Sequence, residues 1–411
     1  MTERLTYLDH AAATPVLPQV VEVMRPFWDE KFANPSSLHQ MGVAARNAVQ
    51  NARETIAELI NGHADEIVFT SGGTESDNLA IQGVVASCKL QVASQLPHVV
   101  TSAIEHHAVL EPLYHLKNAG EIELTVLSVD HDGLVDPQQV KEALRPETVL
   151  VSIMTANNEI GTIQPIADIG RIIIAWRKSG AAGPGSAGES EFPYFHSDAC
   201  QAAGVLELNV EKTHVDLLTV SAAKIYGPKG AGFLFVRRGL KLQTQIYGGG
   251  QERGFRSGTE NVSGIVGLAK AFELAQAGRE TENARLTVLR DQLIAGLLKL
   301  PKARLNGHAS ERLPNNVNVT FLDIEGEAAV LYLDAQSIMA STGSACASSS
   351  LEPSHVILAI GLPKEAAHGS IRFTLGHATT AQDIERVLEV MPGIVEKLKT
   401  MSPVNLNEKY V

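Results

Sequence analysis

The most informative stretch of the sequence is Leu217-Leu218-Thr219-Val220-Ser221-Ala222-Ala223-Lys224-Ile225-Tyr226-Gly227-Pro228-Lys229-Gly230. Its apolar start predicts a strand that ends near Ser221, and a second strand is predicted from Ala231 to Val236. Lys224 would then follow the end of a strand, three residues after a hydroxyl group. A lysine amine in that position is suited to covalent bonding with a carbonyl carbon, although a surface lysine before a turn is the commoner explanation for such a segment alone.

Short apolar runs alternate with longer helical patterns on both sides of this segment. Strands are predicted at residues 67–70, 99–102, 123–127, 149–154 and 215–221. Helices are predicted at residues 75–85 and in a stretch that ends at Lys117. This alternation predicts an α/β domain with a mainly parallel sheet between about residues 17 and 260. A helical segment at 261–300 and a mixed α+β segment follow, and 411 residues are enough for one large and one smaller domain.

The composition excludes several classes of function. The net charge of −12 argues against nucleic-acid binding as the main function. No run of about 18 apolar residues is present, so we expect no membrane-spanning segment. Residues 1–5 lack the apolar stretch of a secretory signal, and the three cysteines are too few and too scattered for a disulfide framework or a zinc site. The reducing cytoplasm is therefore the expected compartment.

A second informative segment is Phe69-Thr70-Ser71-Gly72-Gly73-Thr74-Glu75-Ser76-Asp77-Asn78. Two glycines follow a predicted strand, and Thr74 with Asp77 three residues later fits the start of a helix. Free N–H groups and the positive end of the helix dipole form a site for a phosphate, and glycine lets the backbone approach it closely. A capped helix after a tight turn explains the segment about equally well. No Gly-Lys-Ser/Thr sequence is present, so a nucleoside triphosphate is not favoured.

A third segment is His196-Ser197-Asp198-Ala199-Cys200-Gln201. An aspartate at the carboxyl end of a strand could keep a pyridine nitrogen protonated, although an aspartate that caps the next helix is the commoner explanation. The order of the three segments is more informative than any one of them. An enzyme that uses pyridoxal phosphate (PLP) needs a phosphate-binding turn, a carboxylate for the ring nitrogen and a lysine amine.

With these residues in place, the chain resembles the cysteine desulfurases of the NifS/IscS type, which are class V aminotransferase-like PLP enzymes of fold type I. The resemblance runs nearly end to end. Besides the segments above it rests on Tyr7-Leu8-Asp9-His10-Ala11-Ala12-Ala13-Thr14-Pro15, Asn157-Asn158-Glu159-Ile160-Gly161, Arg253-Gly254-Phe255-Arg256-Ser257-Gly258-Thr259, Gly343-Ser344-Ala345-Cys346, Ser350-Leu351-Glu352-Pro353-Ser354 and Ser370-Ile371-Arg372-Phe373. It implies a large PLP-binding domain at 17–262 with a mainly parallel seven-stranded sheet. Residues 1–16 and 263–411 would form a small α+β domain.

The resemblance also implies the roles of individual residues. Lys224 would form the Schiff base with PLP and move the substrate proton, and His106 would stack on the ring and act as an acid or base. Thr259 would reach the phosphate bound to the other subunit of a homodimer. Arg372, helped by Asn34, would bind the substrate carboxylate. The remaining cofactor contacts are implied for Gly73, Thr74, Asn158, Asp198, Gln201 and Ser221.

Cys346 would carry the step that is specific to this reaction. PLP bound to L-cysteine makes the substrate sulfur electrophilic, and the Cys346 thiolate would take that sulfur to give a persulfide and alanine. Small polar residues surround Cys346 in the sequence, as expected for a thiol that must also deliver sulfur to an acceptor. The acceptor would be an iron–sulfur scaffold or another sulfur-accepting protein. Cys88 and Cys200 are expected to be buried and unreactive.

Two departures from the family pattern affect these expectations. Ala223 stands where the family has a histidine that donates to the PLP phosphate, so we expect weaker PLP retention, by roughly tenfold to a hundredfold. The tail after Ser402 is shorter than the one with which IscS-type members dock their scaffold protein. In addition, residues 179–191 are Gly-rich and are predicted to form a surface loop.

Three other functions remain open at this point. The same residues could serve a selenocysteine lyase, or a class V aminotransferase or β-eliminating lyase that does not require Cys346. A PLP-poor homologue that acts as a binding partner in iron–sulfur assembly is a further alternative, and Ala223 is the feature that favours it.

Overall fold

The computed structural model describes residues 5–89, 96–179, 191–343, 352–402, 406 and 410. Cys346, residues 180–190 of the predicted surface loop and most of the tail after Ser402 lie outside the described residues. The strands are β1 (Thr6–Tyr7), β2 (Ile67–Thr70), β3 (His98–Ser102), β4 (Glu123–Leu127), β5 (Thr148–Ser152), β6 (Tyr194–Asp198), β7 (Leu217–Ser221), β8 (Gly232–Val236), β9 (Ala303–Leu305), β10 (Asn316–Phe321), β11 (Ile338–Met339) and β12 (Ser370–Thr374).

Helices connect these strands in nearly every case. They are α1 (Pro18–Met24), α2 (Pro26–Asp29), α3 (Gln40–Leu59), α4 (Gly73–Lys89), α5 (His107–Asn118), α6 (Pro137–Ala143), α7 (Ile166–Lys178), α8 (Val210–Thr213), α9 (Val262–Leu297), α10 (Gly326–Asp334), α11 (His355–Ala359), α12 (Lys364–Ala367) and α13 (Ala381–Met401). Short 3₁₀ turns occur at Ala64–Glu66, Ala222–Lys224 and Glu252–Gly254.

The central sheet has seven strands in the order β2-β8-β7-β6-β5-β3-β4. Strands β4, β3, β5, β6 and β7 are parallel, and β8 is antiparallel to both of its neighbours. The predicted α/β fold with a mainly parallel seven-stranded sheet is therefore confirmed. Because parallel strands end at the same edge, Ser102, Ser152, Asp198 and Ser221 are brought to one side of the sheet.

Alternate residues of the sheet strands pack into two apolar clusters, as the period of two in a strand requires. One cluster contains Phe195, Val220 and Phe233 together with residues of α3 and the first half of α9. The other contains Tyr194 and Leu234 together with residues of α4 and α5. Helices thus cover both faces, and the strands are buried on both sides, which is typical of a parallel sheet.

A separate apolar cluster lies beyond the sheet. It contains the three-stranded antiparallel sheet β12-β10-β9, α13, Leu8 and the second half of α9. Helix α9 thus contributes its start to one core and its end to another. The division into domains at residues 1–16, 17–262 and 263–411 stays a prediction.

Among the described residues, no helix combines the length and the apolar character that crossing a membrane requires.

Candidate active site

A cavity of about 410 Å³ opens at the carboxyl ends of the parallel strands. Most of the predicted site residues line it, namely Gly73, Thr74, His106, Asn158, Asp198, Gln201, Ser221, Lys224 and Arg372. These residues come from elements spread over about 300 positions of the sequence, so the fold, and not local sequence, brings them together. The cavity is the natural ligand site of such a sheet.

Lys224 ends the 3₁₀ turn that follows β7. Its Nζ donates hydrogen bonds to the carbonyl oxygens of Ala11 and Ala12, at 2.8 and 2.6 Å. The amine is therefore held at the cavity by main-chain acceptors from the N-terminal segment. Gln201 donates to the same Ala11 oxygen at 3.1 Å.

The predicted phosphate-binding turn lies at the start of α4, a helix of 17 residues. Gly72 has a φ of +144°, a conformation that favours glycine. A Cβ on Gly73 would lie 2.8 Å from the Sγ of Cys200, so only glycine fits there. The glycines thus let the turn pack closely against Cys200 and Ser221. The N–H groups of the first turn and the helix dipole favour an anion at this end of the cavity.

The carboxylate of Asp198 lies at the end of β6, as the sequence predicts. Its Oδ1 accepts a hydrogen bond from the Cys200 N–H at 2.8 Å, and only 7% of the residue is exposed. Asp77, one helical turn after Gly73 in α4, also lines the cavity. Its buried Oδ1 has no hydrogen-bond partner among the described residues, and it lies 3.5 Å from Nε2 of His196. Burial, and then the charge of Asp198, raise the pKa of Asp77 well above its usual value.

His106 precedes α5 and caps it. Its Nδ1 accepts the Ala108 N–H at 3.0 Å, which places the proton of the neutral ring on Nε2. Burial lowers the pKa of His106 and outweighs the charge of Asp198, which raises it, while the charge of Lys224 lowers it further. The neutral ring is therefore favoured near pH 7. The ring can therefore donate or exchange a proton at Nε2.

Arg372 is buried, with only 3% of the residue exposed. Its Nη1 donates to the Asn158 carbonyl at 3.0 Å, and its Nη2 donates to Asp9 Oδ1 at 2.9 Å. Its Nε is buried and has no hydrogen-bond partner among the described residues. A cation fixed in this way, with an N–H still to be satisfied, is suited to a carboxylate ligand.

The described cysteines are poor nucleophiles. Burial raises the pKa of Cys88 to about 12 and raises that of Cys200 well above its usual value. Both cysteines are buried, as expected. Cys346 lies outside the described residues, and Gly343, three residues before it, lines the cavity. On the other side of the segment, Ser354 donates to Glu159 Oε2 at 2.5 Å, next to Asn158.

Two predicted residues do not line the cavity of this chain. Asn34 is exposed, and its Oδ1 accepts the Ser36 N–H at 2.8 Å. Thr259 is exposed in the segment after Gly258. That segment is tied to the cavity by Arg256, whose Nε donates to Glu75 Oε1 at 2.8 Å. A contact of Thr259 with the partner subunit stays a prediction.

The residues present fit PLP. The cavity places a glycine turn at a helix N-terminus, a buried carboxylate, a lysine amine and an arginine around one space. The glycine turn suits a phosphate, and the carboxylate suits a protonated pyridine nitrogen. The amine can bond to a formyl carbon, and the arginine suits a substrate carboxylate. Ala223 also lines the cavity, so the missing histidine would have faced the same space.

Sequence reasoning missed several contributors to this site. They are Ala11, Ala12, Asp77, Met154 and Ala156. The N-terminal segment was recognised as part of the family pattern, but nothing local indicates that its carbonyl groups meet Lys224, more than 200 residues away. Asp77 belongs to a recognised segment, and its position one helical turn after Gly73 could have indicated that it faces the cavity.

Comparisons with known proteins show the family to which the chain belongs. Residues 6–387 match the family model of aminotransferase class-V. A cysteine desulfurase IscS from Dictyoglomus turgidum is 50% identical over 402 residues, covering 98% of this chain and 97% of that protein. A cysteine desulfurase IscS from Methanosarcina thermophila is 50% identical over 405 residues, covering 98% and 95%.

Solved structures of two further proteins are also similar to this chain. A NifS-like protein superposes with a TM-score of 0.85 at 35% identity, covering 97% of this chain and 100% of that one. A structure described as SspA in complex with cysteine has a TM-score of 0.76 at 36% identity, covering 90% and 98%.

Proposed function

Because the chain belongs to the class-V aminotransferase family and, within it, to the PLP-dependent cysteine desulfurases, we propose that its cavity removes sulfur from L-cysteine to give L-alanine and a Cys346 persulfide. The observation that carries the proposal is the convergence of Lys224, Asp198, His106 and Arg372 on one cavity. When bound there, PLP supplies an electron sink that makes the substrate sulfur electrophilic. The turn at Gly73 and Thr74, with Ser221, would hold its phosphate.

The chain's own side chains then bind the substrate and move its protons. Arg372 orients the substrate through its carboxylate, since its guanidinium is fixed by Asp9 and Asn158. Lys224 takes and returns the proton on the substrate α-carbon, because its amine is the base held at that point of the cavity. His106 exchanges a proton at Nε2 with the leaving or returning group.

Cys346 carries out the sulfur transfer. Its thiolate forms an S–S bond to the substrate sulfur while the substrate C–S bond breaks, and a proton delivered to that carbon completes alanine. The balance is L-cysteine plus a thiol giving L-alanine plus a persulfide, so no external oxidant is required. A thiol of an acceptor protein then takes the outer sulfur and restores the Cys346 thiol.

The partners of the chain belong to the same proposal. We expect a homodimer, in which Thr259 of each subunit reaches the phosphate bound to the other. We expect the acceptor to be an iron–sulfur scaffold or another sulfur-accepting protein, in the cytoplasm. The net charge of −12 would favour an acceptor with a basic docking surface.

The test combines a spectrum with product analysis. The purified protein is supplied with PLP, and its visible spectrum is recorded before and after addition of L-cysteine, with alanine and sulfide measured in the presence of a reductant. We expect an absorbance change with equal amounts of both products. In Cys346→Ala the absorbance change should remain, and the products should be lost. Full turnover by Cys346→Ala would instead indicate a lyase or aminotransferase, and a protein that takes up no PLP would indicate a binding role.

A further inference from the structure

Thr14 lies next to Lys224 although 210 residues separate them in the sequence. It is 97% buried, with 3% of it exposed. Its N–H and its hydroxyl both donate to the carbonyl oxygen of Ala223, at 3.0 and 3.1 Å. The hydroxyl oxygen also accepts the Tyr226 N–H at 2.8 Å. Thr14 therefore binds the residue before Lys224 and the residue two positions after it.

The turn after Lys224 needs such support because its backbone is strained. Tyr226 has a φ of +63°, in the left-handed region that non-glycine residues rarely adopt. Such a conformation persists only where the surroundings fix it, and it tends to occur at functional sites. Besides Thr14, the contacts of Tyr226 include Leu17, whose N–H reaches its carbonyl at 3.1 Å, and His377, whose N–H reaches its hydroxyl at 2.8 Å.

The N-terminal segment also holds the tip of the lysine. The carbonyl oxygens of Ala11 and Ala12 accept hydrogen bonds from Lys224 Nζ. The segment is itself anchored, because the Ala11 N–H donates to Thr374 Oγ1 at 2.9 Å. The base and the tip of Lys224 are thus held by one short segment, so a shift of the turn relative to that segment displaces the amine.

We propose that Thr14 is a positioning residue that fixes the turn carrying Lys224, so that the lysine amine is directed at the cofactor carbon. The proposal rests on the proposed function, because it takes Lys224 as the residue that bonds to PLP. It also gives Ala223 a role, because its main-chain carbonyl accepts the hydrogen bonds that attach the turn to Thr14. This role does not depend on the Ala223 side chain.

The test compares Thr14→Val with Thr14→Ser. Valine keeps the shape and the main-chain N–H donor to Ala223, but it removes the hydroxyl donor to Ala223 and leaves the Tyr226 N–H without its acceptor. Serine keeps both hydroxyl bonds. The matched control is Thr148→Val. Thr148 is equally buried and accepts the Arg145 N–H at 2.9 Å, but it lies at the opposite end of β5 from the cavity.

Three quantities are measured: the PLP dissociation constant, the pH midpoint of the visible absorbance of bound PLP, and the thermal unfolding midpoint. The pH midpoint reports the surroundings of the lysine nitrogen and is insensitive to a general loss of stability. Thr14→Val should raise the dissociation constant about tenfold and shift the pH midpoint, since two hydrogen bonds are lost. Thr14→Ser should stay within about twofold of the wild type, and Thr148→Val should change the unfolding midpoint alone.

The proposal is overturned if Thr14→Val lowers the unfolding midpoint as Thr148→Val does while its PLP affinity and pH midpoint match the wild type. If Thr14→Val is not recovered folded, Thr14→Ala takes its place under the same criteria. Failure of the proposed function is distinguishable, because it would be seen in the wild-type protein, which would then bind no PLP or release no alanine.

Discussion

Arg372 Nη2 donates a hydrogen bond to Asp9 Oδ1 at 2.9 Å, so the arginine assigned to the substrate is already paired with a carboxylate of its own chain. A second bond, from Nη1 to the Asn158 carbonyl, fixes the plane of the guanidinium. Asp9 belongs to the same N-terminal segment that holds Lys224. The guanidinium proposed to bind the substrate and the amine proposed to bond to PLP are therefore oriented by neighbouring residues of one segment.

The first prediction concerns this pair. Arg372→Lys replaces a planar fork by a single nitrogen, which cannot reach Asp9, Asn158 and a substrate carboxylate together. The KM for L-cysteine should rise at least about tenfold, while the PLP dissociation constant stays unchanged. Steady-state kinetics and a PLP titration check this, with Arg171→Lys, at an exposed arginine, as the control. A normal KM would contradict the assignment of Arg372.

The second prediction concerns the residue before the lysine. Ala223→His restores the donor to the PLP phosphate that the family pattern contains, and Ala223 lines the cavity, so the new ring would face the ligand. A hydrogen bond to a charged group contributes about 1.5–3 kcal/mol, so the PLP dissociation constant should fall roughly tenfold to a hundredfold. Equilibrium titration of the apoprotein measures it. An unchanged constant would show that other donors already saturate the phosphate.

The sequence predicts the elements of the sheet well where local patterns decide them. Strand β4 has the predicted bounds, and β6 ends at Asp198 as expected, because β-branched and aromatic runs bounded by turns are strong local signals. Helix α4 begins at Gly73 and not at Thr74, a difference of one residue at a boundary that frays. Strand β5 ends at Ser152, before the predicted Met154, because the chain turns there towards the cavity.

What the sequence could not predict depends on contacts between distant segments. The meeting of Ala11, Ala12 and Thr14 with the Lys224 turn has no local pattern, since each contact is set by the way the N-terminal segment packs under β12. The position of Asp77 at the cavity likewise depends on contacts between distant segments, because residues as far apart as Ala11 and Arg372 complete the wall around it.

The third prediction concerns the pH dependence of stability. Burial raises the pKa of Glu105 to about 8, despite hydrogen bonds from Ser102 and the Met154 N–H. The folded state therefore holds a proton that the unfolded state releases near pH 4.5. The stability it contributes is fully present below that pH and is lost as the pH rises towards about 8.

Glu105→Gln removes this titration and keeps an oxygen for both donors. Between pH 5 and 8 the free energy of unfolding should fall more steeply in the wild type than in Glu105→Gln. The difference between the two slopes should be up to about 1.4 kcal/mol per pH unit. Denaturant unfolding at several pH values measures the difference. Parallel curves for the two proteins would mean that Glu105 is ionised throughout.

The last prediction concerns the three thiols. With a pKa of about 12, Cys88 holds roughly one thiolate in ten thousand molecules at pH 8, and Cys200 is suppressed for the same reason, burial. A thiol with an ordinary pKa near 8.5 is about one quarter thiolate at that pH.

Iodoacetamide should therefore label Cys346 at least about a hundredfold faster than the other two, as followed by peptide mass spectrometry. Once the Cys346 persulfide has formed, iodoacetamide should alkylate its outer sulfur instead, which gives a disulfide adduct that a reductant removes. Desulfuration should be lost in step with alkylation of the Cys346 thiol itself. Cys88→Ser serves as the control and should change neither rate. Rapid labelling of Cys88 or Cys200 in the folded protein would contradict their burial, and a persulfide found on either would transfer the nucleophilic role away from Cys346.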